Sequence, residues 1–136
     1  QFFHLVPYLT AAENVELPLV LAGVAPAERR ERVAASLADM DLSNRAHHRP
    51  EQLSGGQRQR VAIARATVTR PTMLLADEPT GNLDRRSGSD VMAILEQLRA
   101  SGLTLIVVTH DAELGQRAAR RIRMIDGRIV EDAGEP

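Results

Sequence analysis

The sequence predicts an α/β fold with mainly parallel strands, and three observations carry that reading. Helix-like and strand-like segments alternate through the second half, with short apolar runs at Thr72 to Asp77 and Leu103 to Val108, each preceded by a helical pattern. A helix followed by a strand, repeated, is the mark of parallel pairing through helical crossovers. The final segment alternates instead around Asp126-Gly127, which signals an antiparallel hairpin. At 136 residues the chain is long enough for one domain with a real core.

Each element has a local cause. Thr10-Ala11-Ala12-Glu13 forms a capping box, so a helix is expected to begin there and to stop near Pro18. Pro26 suits the first turn of a second helix. Val33, Leu37 and Met40 share one of its faces, and Arg29, Arg30, Glu31 and Arg32 supply a solvated one. The polar stretch Asn44 to Gln52 contains His47 and His48. Adjacent histidines can ligate a metal, but with no third ligand nearby a solvent-exposed loop is expected. Ser54 caps the next helix, which runs from Gly55 to about Thr69 because Pro71 cannot continue it.

Thr72 to Asp77 and Leu103 to Val108 read as buried strands. Between them Pro79 and Gly81-Asn82 break the chain into a loop. Asp84 then caps a helix whose apolar face is Val91, Ile94, Leu95 and Leu98 and which ends at Gly102. Asp111 caps a short helix through Ala118. Arg121 to Ile125 and Arg128 to Val130 are the hairpin strands, and the tail after Glu131 is expected to fray.

Composition narrows the function. A hydrophobic share of 43% and a charged share of 26% are those of an ordinary globular protein. The net charge of −1 and an aromatic content of 2% give no basis for nucleic-acid binding. The apolar runs are too short to cross a bilayer. Without cysteine there are no disulfides or thiolate metal sites in these residues. All 17 basic residues are arginine, so a phosphate loop ending in G-K-[ST] cannot lie within this sequence.

Three stretches carry chemistry. Ser54 at an N-cap and Gln57 at N3 complete a capping box around Gly55 and Gly56, leaving the first amides of a helix uncovered and suited to an anion. Taken alone, S-G-G-Q reads more simply as an ordinary capped helix with a flexible entry. Met73-Leu74-Leu75-Ala76-Asp77-Glu78 ends a strand in two carboxylates, at the end where open α/β sheets bind ligands. Asp77 can help hold Mg²⁺ while Glu78 orients or deprotonates a water; the plain alternative is a strand that merely ends in charge. His110 follows the second strand in Val107-Val108-Thr109-His110-Asp111, a position where histidine is commonly structural.

Together these motifs resemble the ATP-binding subunits of ABC transporters. Leu53-Ser54-Gly55-Gly56-Gln57 resembles the signature, Met73 to Glu78 the Walker B motif, Pro79-Thr80-Gly81-Asn82-Leu83-Asp84 the D-loop, and His110 the switch histidine. Gln1 stands in the place of the Q-loop glutamine. The resemblance covers the whole chain, and Leu5 to Pro18 with Gly81-Asn82-Leu83-Asp84 is similar to the branch serving lipoprotein release, macrolide-type export and cell division.

The resemblance implies the C-terminal part of a P-loop NTPase domain. Residues from about 2 to 70 would be a helical signature subdomain, and those from about 71 to 136 the Walker B, D-loop, switch-histidine and hairpin part. It implies ATP and Mg²⁺, with Asp77 and Gln1 toward the metal and Glu78, His110 and Gln1 in hydrolysis. Ser54, Gly55, Gly56, Gln57 and Asp84 would meet nucleotide, the signature residues contacting ATP held by a second subunit in a head-to-tail dimer. The expected partners are that second ATPase subunit and transmembrane permease subunits, at the cytoplasmic face of the plasma membrane, with residues Phe2 to Pro18 as the docking region. The Walker A part is missing, so the chain reads as a fragment, expected to be inactive alone. Other readings are an ATP-driven regulator of cell-division type and a soluble ATPase of DNA maintenance or translation. The compact Phe2 to Leu53 segment, without a heptad pattern, disfavours the DNA-repair form.

Overall fold

The computed structural model describes residues 3–134. Its α-helices and strands are α1 (Ala11–Leu21), α2 (Pro26–Asp39), α3 (Gly55–Thr67), β1 (Met73–Asp77), α4 (Arg85–Ala100), β2 (Thr104–Val108), α5 (Ala112–Gln116), β3 (Arg120–Ile125) and β4 (Arg128–Gly134). Gln1 and Phe2 lie outside the described residues.

The capping box that opens α1 is formed: Glu13 N–H donates to Thr10 Oγ1 at 3.2 Å, and Thr10 N–H to Glu13 Oε2 at 2.7 Å. The helix does not stop at Pro18 as expected; it continues to Leu21 with Pro18 inside it. An interior proline costs about 3 kcal/mol. Against that, Val15 and Leu19 flank it with no exposed surface, and burying each is worth about 1.5–3 kcal/mol. Ala22 N–H also reaches the Pro18 carbonyl at 3.0 Å. Tertiary burial therefore overrides the local stop signal.

Pro26 occupies the first turn of α2, and Val33, Leu37 and Met40 are buried along one face. The arginine-rich face is not wholly solvated. Arg29 is half-buried, donating from Nε to Glu16 Oε1 at 2.7 Å and from Nη1 to the Val24 carbonyl at 2.9 Å, which ties α2 to α1. Two single-turn 3₁₀ segments, Ser43–Arg45 and Pro50–Gln52, fill the connection to α3. There His47 is exposed, whereas His48 is half-buried, with Nε2 3.0 Å from Arg45 Nη1.

Helix α3 is the axle of the molecule. It touches α1, α2 and α4 and buries Val61, Ile63 and Ala64, with Val68 just after its end, in a single cluster that also takes Leu74 of β1 and Val91, Met92 and Leu95 of α4.

Strands β1 and β2 pair in parallel, Met73 opposite Thr104 through Asp77 opposite Val108. The expectation that both strands are buried is corrected. Leu74, Ala76, Leu105 and Val107 alternate onto the covered face, while Met73, Leu75, Ile106 and Val108 are 53%, 67%, 42% and 53% exposed. A strand sends successive side chains to opposite faces, and the core covers only one face of this two-stranded sheet. Helix α5 ends at Gln116, short of Ala118. Of the tail expected to fray after Glu131, residues 132–134 are strand: β4 runs to Gly134. Its acids pair with β3, Asp132 with both Nε and Nη2 of Arg120 at 2.9 and 2.7 Å, and Glu131 with Arg121 at 3.1 Å.

Candidate functional site

Strand register builds the acidic end of the site. Because Asp77 lies opposite Val108, the next residues on each strand meet, and Glu78 N–H donates to the Val108 carbonyl at 2.8 Å. Glu78 then turns out of the strand with φ of +45°, in the left-handed region where a non-glycine residue is uncommon. Its carboxylate folds onto the end of β2. Oε1 accepts from the His110 backbone N–H at 2.9 Å and lies 2.7 Å from His110 Nδ1, while Thr109 Oγ1 donates a longer bond, 3.4 Å, to Oε2.

The charges reinforce one another. The His110 side chain beside it holds the Glu78 carboxyl below the usual glutamate range, and the Glu78 carboxylate raises the His110 imidazole above its ordinary 6.5. Oε1 is occupied by two short donors, so Oε2 is the oxygen with accepting capacity to spare. The His110 side chain is 84% exposed, and its other ring nitrogen remains toward solvent.

Asp77 is exposed at the end of β1. It and Glu78 line an open cleft of about 280 Å³ with Phe3, His4 and Gln59. Mg²⁺ takes hard oxygen donors, keeps several waters, and is commonly held by one or two carboxylates plus phosphate oxygens. An accessible carboxylate at the cleft wall fits that demand. Among the described residues no group of three or more His, Cys, Asp or Glu could enclose a metal, so a dedicated protein cage is not on offer here.

The other end of the site is the start of α3. Ser54 Oγ accepts from Gln57 N–H at 3.2 Å and Gln57 Oε1 from Ser54 N–H at 2.9 Å, completing the expected capping box. Ser54 is exposed, and the amides of the first turn have no acceptor within the helix. The two glycines also have a packing role that the sequence did not reveal. A Cβ on Gly56, which is buried, would lie 3.1 Å from both Cβ and Oγ of Ser87; one on Gly55 would lie 3.3 Å from Leu83 Cδ2. The helix start is thus seated on the loop after β1 and on the first turn of α4.

Asp84 caps that turn. Oδ1 accepts from Arg86 and Ser87 N–H at 3.1 and 3.0 Å, and Oδ2 from Ser87 Oγ at 2.7 Å; this last bond foremost holds the carboxyl below the usual aspartate range. The structure therefore joins Asp77, Glu78 and His110 around one strand end. Ser54, Gly55, Gly56 and Gln57 stand at a separate helix end, outside the cleft, with the Asn82–Asp84 stretch between. Gln1 is outside the described residues. Sequence reasoning missed Thr109 and Ser87, whose roles depend on contacts distant in sequence. It also missed Arg65, whose Nη1 donates to the carbonyl of His4 at the cleft wall at 2.7 Å.

Comparison with known proteins bears on the family and the fold. The family described as ABC transporter matches residues 1–81, more than half of the chain. The chain is 57% identical over all 136 residues to the macrolide export ATP-binding/permease protein MacB of Burkholderia pseudomallei. It is 55% identical over 134 residues to MacB 2 of Aeromonas hydrophila. It spans 21% of the length of each. Among solved structures, the dimeric post-hydrolysis state of the ATP-binding cassette MJ0796 bound to ADP and Pi superposes with a TM-score of 0.84 at 42% identity, covering 98% of this chain and 60% of that one. A second dimeric MJ0796 structure, described as a bacterial ABC transporter cassette, gives 0.83 at 43% identity, covering 97% and 59%. The fold is that of an ABC ATP-binding cassette. The chain belongs to the ABC transporter family.

Proposed function

We propose that this chain is part of the ATP-hydrolysing component of a membrane ABC transporter of the macrolide-export type. The observation that carries the proposal is the strand-end cluster, in which a tethered carboxylate, Glu78, stands beside Asp77 and His110 at the wall of an open cleft. The names of the relatives, ATP-binding/permease proteins and dimeric cassettes, support ATP, a permease partner and a second cassette.

In this reading Glu78 is the water-directing base. Its lowered pKa keeps it anionic, which suits orienting a water through Oε2 more than removing a proton in advance. His110 restrains the carboxylate through Oε1 and can offer its other ring nitrogen to a phosphate oxygen. Asp77 would help hold Mg²⁺, which when bound neutralises charge developing on the phosphates. Ser54, Gly55 and Gly56 would present a hydroxyl and helix-start amides to the nucleotide of a second subunit, with Gln57 fixing the cap. Asp84 secures α4 next to them, and Gln1 would complete the metal and water side. Residues 3–70 would be the helical signature part and 71–134 the strand and hairpin part.

Among the described residues no helix is long and apolar enough to cross a membrane. In this reading the chain lies at the cytoplasmic face against the permease part, and the exposed Tyr8 (81%) before α1 and Leu21 (83%) at its end offer it apolar contact. The test is Glu78→Gln in the intact protein. Nucleotide binding should persist while turnover falls by at least about a hundredfold; normal turnover would remove Glu78 from this role.

A further inference from the structure

Glu78 leaves β1 with φ of +45°, so the alternation of the strand no longer dictates where its side chain points. The aim of the carboxylate is set by what its oxygens accept. Among the described residues three donors reach them, all from one turn after β2. The His110 backbone N–H and Nδ1 stand 2.9 and 2.7 Å from Oε1, and Thr109 Oγ1 stands 3.4 Å from Oε2. A carboxylate offers about four accepting sites. The turn fills all but one, and the open one is on Oε2.

The Thr109 hydroxyl is committed to this direction. It has a single proton to give and accepts through its lone pairs. Asp111 N–H donates to Thr109 Oγ1 at 3.0 Å, which anchors the oxygen and leaves its proton for Oε2. Asp111 is itself fixed as the N-cap of α5, its Oδ1 accepting from Glu113 N–H at 2.8 Å and Leu114 N–H at 3.4 Å. Thr109 is half-buried, two residues on from Val107 of the covered face, where valine, of the same shape, would serve packing alone. A Cβ on Gly81 would stand 3.7 Å from Oε2, so the glycine leaves that oxygen clear for a small neighbour. The 3.4 Å bond is long, as bonds in such sites commonly are before substrate tightens them.

We propose that Thr109 is a positioning residue for ATP hydrolysis: its hydroxyl, anchored by the Asp111 amide, fixes Oε2 of Glu78 and so decides where the water directed by Glu78 can sit. His110 holds one oxygen of the carboxylate and leaves the other free to swing. Thr109 supplies the second point, and the plane of the carboxylate is then determined. This rests on the ATPase reading above, in which Glu78 directs the water.

The test uses the intact protein with its membrane partner, rates being normalised to the number of nucleotide-binding sites. Thr109→Val keeps the shape and removes the hydroxyl. Its kcat for MgATP should fall about tenfold with KM within about twofold, the scale of a hydrogen bond to a charged group that matters after substrate has bound. Thr109→Ser returns the hydroxyl and should bring kcat back to within about threefold of wild type. Because Thr109 acts through Glu78, adding Thr109→Val to Glu78→Gln should leave the residual single-turnover rate of that variant within about twofold. Thr109→Ala removes the same hydroxyl and replaces Thr109→Val, with the same expected values, where the valine variant fails to fold. A kcat loss smaller than about threefold in the variant without the hydroxyl overturns the proposal. So does a Thr109→Ser variant as slow as Thr109→Val, or a further loss of about tenfold when Thr109→Val is added to Glu78→Gln. The single Glu78→Gln variant separates the two readings. If it turns over normally, the ATPase reading fails; if it is inactive while Thr109→Val is normal, the positioning role alone fails.

Discussion

Gly56 offers the sharpest test of how the candidate site is assembled, because the structure gives it a task independent of nucleotide. Gly56→Ala would place a methyl 3.1 Å from Cβ and Oγ of Ser87, where ordinary contact begins near 3.4 Å, so one element must retreat by a few tenths of an ångström. Ser87 cannot yield freely, since its N–H and Oγ are both bonded to Asp84, at 3.0 and 2.7 Å. Overpacking of this kind costs about 1–3 kcal/mol. The intrinsic helix preference of Ala over Gly returns at most about 1 kcal/mol, leaving a net loss of about 1 kcal/mol. A double-mutant cycle with Ser87→Gly cancels the propensity contributions, because each appears in a single mutant and again in the double. The expected coupling is about 1–2 kcal/mol in favour of the double mutant, read from unfolding midpoints of the intact protein. Additivity within about 0.5 kcal/mol would refute the packing argument. ATPase activity gives a second, separate reading. If Gly56 also serves nucleotide approach, the double mutant regains stability without regaining turnover.

Three other outcomes follow from the same geometry. His110 should titrate above 6.5 in the folded protein by NMR and return toward that value in Glu78→Gln. Its raised pKa contributes stability that is complete below pH 6.5 and lost as pH rises through the folded value. The lowered pKa of Glu78 contributes stability present above 4.5 and lost as pH falls through its folded value, so the pair stabilises most between 4.5 and 6.5. Asn14 is wholly buried, its Oδ1 accepting from Val6 N–H at 2.8 Å and its Nδ2 donating to the carbonyls of Val6, Leu9 and Thr10. Asn14→Ala strands those groups and should cost about 2–3 kcal/mol by thermal unfolding; a change within 0.5 kcal/mol, an ordinary surface value, would show that the turn does not depend on it. Asp84→Ala should lose about 1 kcal/mol of N-cap stabilisation, whereas Asp84→Asn should keep most of it. Equal destabilisation of the two variants would contradict the capping role.

Where the sequence was legible, the cause was local. Thr10, Ser54, Asp84 and Asp111 each accept helix-start amides as their residue type and spacing predict. Asp126 and Gly127 supply the positive φ that the hairpin turn needs. The strand-end placement of Asp77, Glu78 and His110 was also readable, because each directly ends or follows an apolar run. What escaped depends on partners remote along the chain. Pro18 breaks a helix by local rules, but Val15 and Leu19 are buried against elements those rules do not consider. The exposure of Leu75 and Ile106 follows from which face the core covers, a fact no window of neighbours contains. The bond between Glu78 and His110 spans thirty-two positions and exists because of one strand register. Gly55 and Gly56 likewise pack against Leu83 and Ser87, about thirty positions further along the chain and beyond the reach of any local pattern.

The loop from Glu78 to Asp84 now acquires a mechanical meaning. Its first residue carries the carboxylate, and a Cβ on Gly81 would sit 3.5 Å from Glu78 Cβ; its later residues support the start of α3 through Leu83 and the Asn82 carbonyl. Asp84 closes it by capping α4, which holds Ser87 under Gly56. A five-residue connection between two packed ends has little slack, so the helix start cannot rise from its seat without disturbing the loop that bears Glu78. A second route, through Arg65 to the carbonyls of Phe3 and His4, reaches the same cleft. Two short paths joining one helix to one cleft form a closed frame, and a frame resists deformation better than either strut.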